Sequence, residues 1–385
     1  MIRRLFALLL AASALPATEI STGTMLGRHY DPHAFYIRGS PSEEWRKTYT
    51  GAGWRHEAQG KLMNLRLAQA LFHDEWMHEQ PFDPDRNTDS VIQALDTYLT
   101  HGVLMIDVGL QGAQPGYDPA ANGIDRENAY RYGPAKGAYV SAYRPDGSLK
   151  PDWLARLEHL LRATDQRGMI VNLIYFHHGQ DEQFESTAAI HRAARNITDW
   201  LIAHNVRNVI VDIADEYDLP GPQWDFAGYI PTNIISLIDE VRERFKGAGY
   251  ALPIGASSDG RMRYPASLAG QVDVVLLHGN ARTPHEKSRR ATELKDVQRP
   301  ILMTGDDNGR ATTLDHLADD LASCDAFFYK AAGWGYLPWV QAQRFPFHFM
   351  PGPEAEVRDN MPEKERDGAY FHAVLDHIAA LTVKR

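Results

Sequence analysis

Short apolar runs alternate with amphipathic segments along most of the chain. The apolar runs at 34–37, 103–108, 169–176, 209–213, 252–256, 272–277, 300–304 and 326–334 predict eight strands. Apolar residues at helical spacing predict helices at 61–72, 152–167, 187–204, 233–245, 314–322 and 366–381. Because strands that alternate with helices usually pair in parallel, this order predicts an α/β fold, a single (β/α)8 TIM barrel domain. An open doubly wound sheet is the competing fold, but no glycine-rich phosphate turn follows the first predicted strand.

The first 17 residues have the pattern of a secretory signal peptide. Arg3 and Arg4 precede an apolar run at 5–12 and small residues at 12–14. This pattern predicts an exported protein, periplasmic or secreted, with a mature domain at 18–385. Cys324 is the only cysteine, so an internal disulfide is excluded. The net charge of −10 disfavours nucleic acid and anionic membranes as partners.

Polar side chains follow nearly every predicted strand. Active sites of such barrels lie at the carboxyl ends of the strands, where these side chains would meet. A polar ring with an aromatic platform suits a sugar, whose hydroxyls need polar partners and whose apolar face stacks on a ring. We therefore expect a carbohydrate substrate and no cofactor. The candidate substrate-binding residues are Gln111, His177, His178, Asp215, His278, Asn280, Asn308 and Trp334.

Four stretches carry a resemblance to a known family: YFHHGQDE, NVIVDIADE, LLHGN and GWGY. On these motifs the chain resembles the clan A glycoside hydrolases, the cellulase-like barrels of family 5 type. It is most similar to uncharacterised bacterial exported cellulase-like proteins, over nearly the whole mature chain. The resemblance implies that Glu216 is the catalytic acid, with Asp215 where the family has Asn. It also matches His278 and Trp334 to the family's residues on the sixth and eighth strands.

The seventh predicted strand departs from this family. In PILMTGDDNG, Gly305 stands where the family has its nucleophilic Glu. Retaining hydrolysis needs two carboxyl groups about 5 to 5.5 Å apart, and Gly305 supplies none. Three alternatives follow: a hydrolase that uses another acid as base, a catalytically silent sugar-binding barrel, and metal-assisted hydrolysis. For the last, His177, His178 and the pair Asp306 and Asp307 could be ligands, but no HExxH spacing supports a metal.

Side-chain alternation selects the replacement acid. In an extended strand Gly305 and Asp307 point to one side and Asp306 to the other, so Asp307 is the better candidate to face the cleft, with Asp306 as the second. A missing Glu at 305 would leave a hole for water, which predicts inversion, with Glu216 as acid and Asp307 as base. A second carboxylate at Asp215 should also raise the pKa of Glu216. The long segment 110–147, rich in tyrosine, is expected to cover sugar subsites, or to be a packed surface loop.

Overall fold

A small antiparallel sheet precedes the barrel. The computed structural model describes residues 18–73, 83–111, 140–219, 224–306, 316–338 and 369–384. Strands β1 (Glu19–Thr22), β2 (Phe35–Arg38) and β3 (Arg46–Lys47) pair in that order, with the short helix α1 (Gly23–Leu26) between the first two. The strand predicted at 34–37 therefore exists as β2, but it lies outside the barrel.

Parallel strands form the barrel itself, as the sequence predicts. They are β4 (Asn64–Arg66), β5 (Met105–Gly109), β6 (Ile170–His177), β7 (Val209–Asp215), β8 (Ile254–Gly255), β9 (Ser257–Ser258), β10 (Val275–His278), β11 (Ile301–Gly305) and β12 (Gly335–Tyr336). One sheet runs β12-β4-β5-β6-β7-β8 and another β11-β10-β9. Because β8 and β9 are two parts of one strand, interrupted at Ala256, these nine segments make eight barrel strands. A parallel bridge between Asp306 and Tyr336 joins β11 to β12 and closes the circle.

Helices connect the strands. They are α2 (Pro84–Thr100), α3 (Pro151–Asp165), α4 (Thr187–Ala203), α5 (Asp225–Gly247), α6 (Ala266–Ala269), α7 (Pro284–Glu293), α8 (Leu317–Lys330) and α9 (Ala369–Thr382). Side-chain caps explain several starts: Asp83 accepts from two backbone amides at α2, and Thr283 forms a capping box with Glu286 at α7. Among the described residues no helix has the length and apolar character needed to cross a bilayer.

Two predicted elements are wrong. The helix expected at 61–72 contains the first barrel strand, β4, in which Asn64 and Arg66 alternate with Leu65. The strand expected at 326–334 begins inside α8, which continues to Lys330, and the eighth barrel strand is the two-residue β12. Both segments are apolar enough for either structure, and the packing of the closed barrel decides between them.

The barrel interior carries polar side chains beneath its mouth. Register places Arg66 of β4 beside Asp107 of β5, and Asp107 beside Asn172 of β6. Asn172 donates to Asp107 at 2.7 Å, and all three side chains are buried. Burial raises the pKa of Asp107 well above its usual range, against the opposing effect of the Arg66 charge. The barrel centre is therefore a hydrogen-bonded polar layer that supports the residues above it.

Candidate functional site

The carboxyl ends of β4, β6, β7 and β10 bring six polar residues together. Parallel pairing of β6 with β7 aligns His177 with Asp215, which explains why residues distant in sequence are neighbours here. We call this group the mouth cluster, and its members are Arg66, His177, His178, Asp215, Glu216 and His278.

Asp215 is the most tightly held member of the mouth cluster. It is 1% exposed, and Arg66 Nη2 donates to its Oδ1 at 2.7 Å. Burial alone would raise its pKa, but the Arg66 charge, followed by the neighbouring histidines, holds the pKa well below the usual range. Arg66 therefore favours the anionic form of Asp215 and occupies one of its two oxygens.

Glu216 is the mouth carboxylate that retains access to solvent. Its backbone has φ 50°, a left-handed conformation rare for a residue with a side chain and common at functional sites. The side chain is 15% exposed, and Oε1 lies 3.0 Å from His278 Nδ1. Such a conformation persists only where the surrounding structure enforces it.

The tautomer of His278 follows from its neighbours. Arg66 Nη1 lies 3.2 Å from His278 Nε2, and because a guanidinium can only donate, Nε2 accepts. The ring proton therefore sits on Nδ1 and is donated to Glu216. Burial works against ionisation of Glu216, yet this hydrogen bond from His278, followed by the neighbouring His178, lowers its pKa. Asp215 does raise the pKa of Glu216, as the sequence predicts, but the two histidines outweigh this repulsion, so the net shift is downward.

His177 and His178 stack on each other next to Asp215 Oδ2, the oxygen that Arg66 does not bind. Their ring centroids are 4.2 Å apart. His177 Nε2 lies 3.3 Å from Asp215 Oδ2, and His178 Nδ1 lies 3.6 Å from the same oxygen. Burial, followed by the His178 charge, lowers the pKa of His177 to about 4. Burial also disfavours the charged form of His178, but Asp215 and Glu216 raise its pKa.

The space above Gly305 is occupied. A Cβ atom at this position would lie 3.1 Å from the His278 ring and 3.2 Å from Arg66 Cδ, closer than most packed side chains allow. The hole for water that the sequence led us to expect beside Gly305 is therefore filled by these two side chains. Arg66 and His278 take the volume that a larger residue would need.

Asp306 and Trp334 lie in a separate, fully buried group. Lys287 Nζ is 2.6 Å from Asp306 Oδ1, and Trp334 Nε1 donates to Asp306 Oδ2 at 2.6 Å. All three side chains are 0% exposed. This environment favours a structural role for Asp306 in place of the catalytic one expected from the sequence. It likewise makes Trp334 a core residue, without an open face for a sugar.

Of the remaining described candidates, Gln111 supports loop ends and Asn280 has a buried amide oxygen. Gln111 is buried, where it donates to Ser141 at 3.2 Å and accepts from the His177 amide at 3.2 Å, so it anchors loop ends. Asn280 follows β10, and its Oδ1 has no hydrogen-bond partner within the described ranges. The candidates Asp307 and Asn308, and the tyrosine-rich stretch 112–139, lie outside the described residues.

Sequence reasoning missed Arg66, the cation at the centre of the mouth cluster. The segment around it was assigned to a helix, which would have placed the guanidinium on a solvent-facing surface. A signal was available: polar and apolar residues alternate from Met63 to Leu67, which is the period of a strand. A buried strand with an Arg at its carboxyl end indicates a partner for a mouth carboxylate.

Comparison with known proteins supports the barrel architecture. No protein-family model matches the chain, and no curated protein matches it. A solved β-glucosidase mutant derived from a hyperthermophilic tetrameric structure is 10% identical, with a TM-score of 0.51, over 86% of this chain and 96% of that one. The endo-1,4-β-D-mannanase of Thermotoga petrophila RKU-1 is 10% identical, with a TM-score of 0.50, over 83% and 99%. At this identity the similarity concerns the fold.

Proposed function

We propose that the chain is a glycoside hydrolase that acts on a poly- or oligosaccharide and uses Glu216 as its essential carboxylate. The observation that carries this proposal is Glu216 itself. It is an ionised, partly exposed carboxylate in a strained conformation at the carboxyl end of β7, and a histidine N–H orients it. The β-glucosidase and the mannanase named above have the same fold, which supports the proposal by analogy.

The lowered pKa of Glu216 changes the role that we assign to it. A carboxylate that is ionised before substrate binds is suited to be a base, whereas a general acid must hold a proton. We therefore give Glu216 the base role and Asp307 the acid role, the reverse of the assignment from sequence. Because Gly305 contributes no carboxyl group, the proposed partner comes from two residues further along the chain. Two carboxyl groups that stand farther apart than those of a retaining enzyme would correspond to hydrolysis with inversion.

A carbohydrate-binding barrel without turnover is the second candidate. It is favoured by the packing over Gly305, where Arg66 and His278 fill the space next to β11. Under this alternative Glu216 and Asn280 would hydrogen-bond sugar hydroxyls, and no bond would be broken.

The decisive experiment is a glycan panel with two matched variants. Purified protein is incubated with each glycan, and reducing ends and bound glycan are both measured. Glu216→Gln should abolish turnover while folding is retained, whereas Glu243→Gln, whose side chain is 67% exposed on α5, should leave it unchanged. NMR of the first anomer released should show inversion, and a retained anomer would contradict the role of Asp307. Binding without turnover in the native chain would establish the second candidate.

Export is a separate proposal. Residues 1–17 lie outside the described part of the chain, and their pattern is the argument for a cleaved signal. Amino-terminal sequencing of protein from the periplasm or medium should begin near residue 15 or 18. An intact Met1 on cytoplasmic protein would contradict export.

A further inference from the structure

The two histidines and the aspartate of the mouth cluster have the arrangement of a metal site. We propose that His177 Nε2, His178 Nδ1 and Asp215 Oδ2 bind a divalent cation of the zinc class, with a coordination position left for an outside ligand. This inference stands independently of the proposed hydrolase activity, because it concerns binding of the ion alone.

The first argument comes from the ring protons. His177 Nδ1 lies 2.7 Å from the His178 carbonyl oxygen, which can only accept, so the His177 proton is on Nδ1. In the neutral ring the lone pair of Nε2 then faces Asp215 Oδ2 at 3.3 Å. Two acceptors that face each other at this distance repel, unless a cation lies between them. Metal-binding histidines are held in the same way, with the second ring nitrogen donating to a carbonyl or carboxylate.

The second argument comes from His178. Its Nδ1 is buried and, among the residues that the structure describes, has no hydrogen-bond partner. At 3.6 Å from Asp215 Oδ2 it is too far for an ordinary hydrogen bond. A buried polar atom without a partner is costly, and coordination to a cation would satisfy it.

The spacing fits a four-coordinate ion. The three ligand atoms lie within 4.8 Å of one another. In a tetrahedral zinc site with bonds of about 2.0–2.1 Å, neighbouring ligand atoms are about 3.3–3.4 Å apart, close to the two distances to Asp215. Two imidazoles and one carboxylate suit zinc better than magnesium or calcium, which prefer oxygen.

Charge and exposure also agree with such a site. Arg66 binds Asp215 Oδ1, so Oδ2 is the oxygen left for the ion. Glu216, whose carboxylate lowers the cost of placing a dication here, is the next residue in the chain. The His177 and His178 side chains are 21% and 18% exposed, whereas Asp215 is 1% exposed, so an outside ligand would enter from the histidine side.

A zinc titration tests this proposal directly. The full-length protein is stripped with a chelator and titrated with Zn²⁺ against a coloured zinc indicator, with Mg²⁺ in excess. We expect the native chain to bind one equivalent of Zn²⁺. His177→Ala and His178→Ala should each bind Zn²⁺ at least about 10-fold more weakly, because loss of an outer-shell partner alone costs about 10- to 100-fold. The control is His159→Ala, because His159 contacts Asp89 on the exposed surface and should bind zinc as the native chain does.

Two further measurements complete the test. Circular dichroism must show that each variant is folded. If His177→Ala does not fold, His177→Gln is used in its place. Co²⁺ in place of Zn²⁺ should give the intense visible absorption of a four-coordinate ion. The proposal would be overturned by any one of three results. These are failure of the native chain to bind one equivalent of Zn²⁺, equal affinity of the cluster variants and the control for Zn²⁺, and an octahedral Co²⁺ spectrum. None of these results depends on glycan turnover.

Discussion

Replacement of Asp306 by Asn should destabilise the fold strongly. In the native chain Lys287 Nζ lies 2.6 Å from Asp306 Oδ1, and neither side chain is exposed. Asn keeps the shape of the side chain but removes its negative charge. The Lys287 ammonium would then be buried beside a neutral amide.

The magnitude follows from what a buried pair loses when one partner is removed. An unpaired buried charge costs about 3–5 kcal/mol, whereas replacement of both partners by neutral groups is often nearly neutral. Asp306→Asn should therefore lower the free energy of unfolding by about 3–5 kcal/mol. Lys287→Met combined with Asp306→Asn should recover most of that loss, because the buried ion pair is then replaced by two neutral side chains.

Urea denaturation followed by circular dichroism measures these differences. Asp199→Asn is the control, because Asp199 pairs with Arg244 on the surface, and such pairs contribute about 0–1 kcal/mol. If Asp306→Asn were as stable as the native chain but lost glycan turnover, the assignment of Asp306 to the core would be refuted. That result would support the catalytic role predicted for Asp306 from the sequence.

Three further predictions follow from the same structure. Burial raises the pKa of Asp212 to about 6, so the folded chain holds this proton more tightly than the unfolded chain, and stability should fall as pH rises from about 4 to about 6. At pH 8 Asp212→Asn should therefore raise the free energy of unfolding in urea by up to about 3 kcal/mol. No such gain is expected at pH 4, or in the exposed control Asp239→Asn. Gly305→Ala should destabilise by about 1–3 kcal/mol in the same assay, and a neutral effect would show that the space is open. In His278→Ala the acidic limb of kcat/KM should move up by about one to two pH units, because a hydrogen bond to a charged group is worth about 1.5–3 kcal/mol, and an unmoved limb would remove Glu216 as the base.

Much of the barrel could be predicted because its central strands are long. Strand β7 has seven residues, four of them Val or Ile, and β6 has eight residues, so the type of each can be read from the local sequence. Strands β8, β9 and β12 have two residues each. No periodicity can be read from two residues, and these strands are defined by pairing with neighbours that are distant in sequence.

The site was predictable in part for a related reason. Parallel strands place their carboxyl ends together, so His177, Asp215 and His278 were expected to meet, and they do. Position at a strand end does not fix the direction of a side chain. Asp306 follows β11, whereas Trp334 precedes β12, and both point into the core, where they form a hydrogen bond.

The distribution of charge in the mouth cluster gives its two carboxylates different environments. Asp215 and Glu216 are adjacent in sequence, but Arg66 donates a hydrogen bond of 2.7 Å to Asp215. The same guanidinium donates to His278, which fixes the His278 proton on the nitrogen that faces Glu216. Glu216 therefore receives a hydrogen bond from a neutral ring, which stabilises an anion less than a cation does. A single arginine thus pairs with one carboxylate and leaves its neighbour ionised and oriented, as the proposed base role of Glu216 requires.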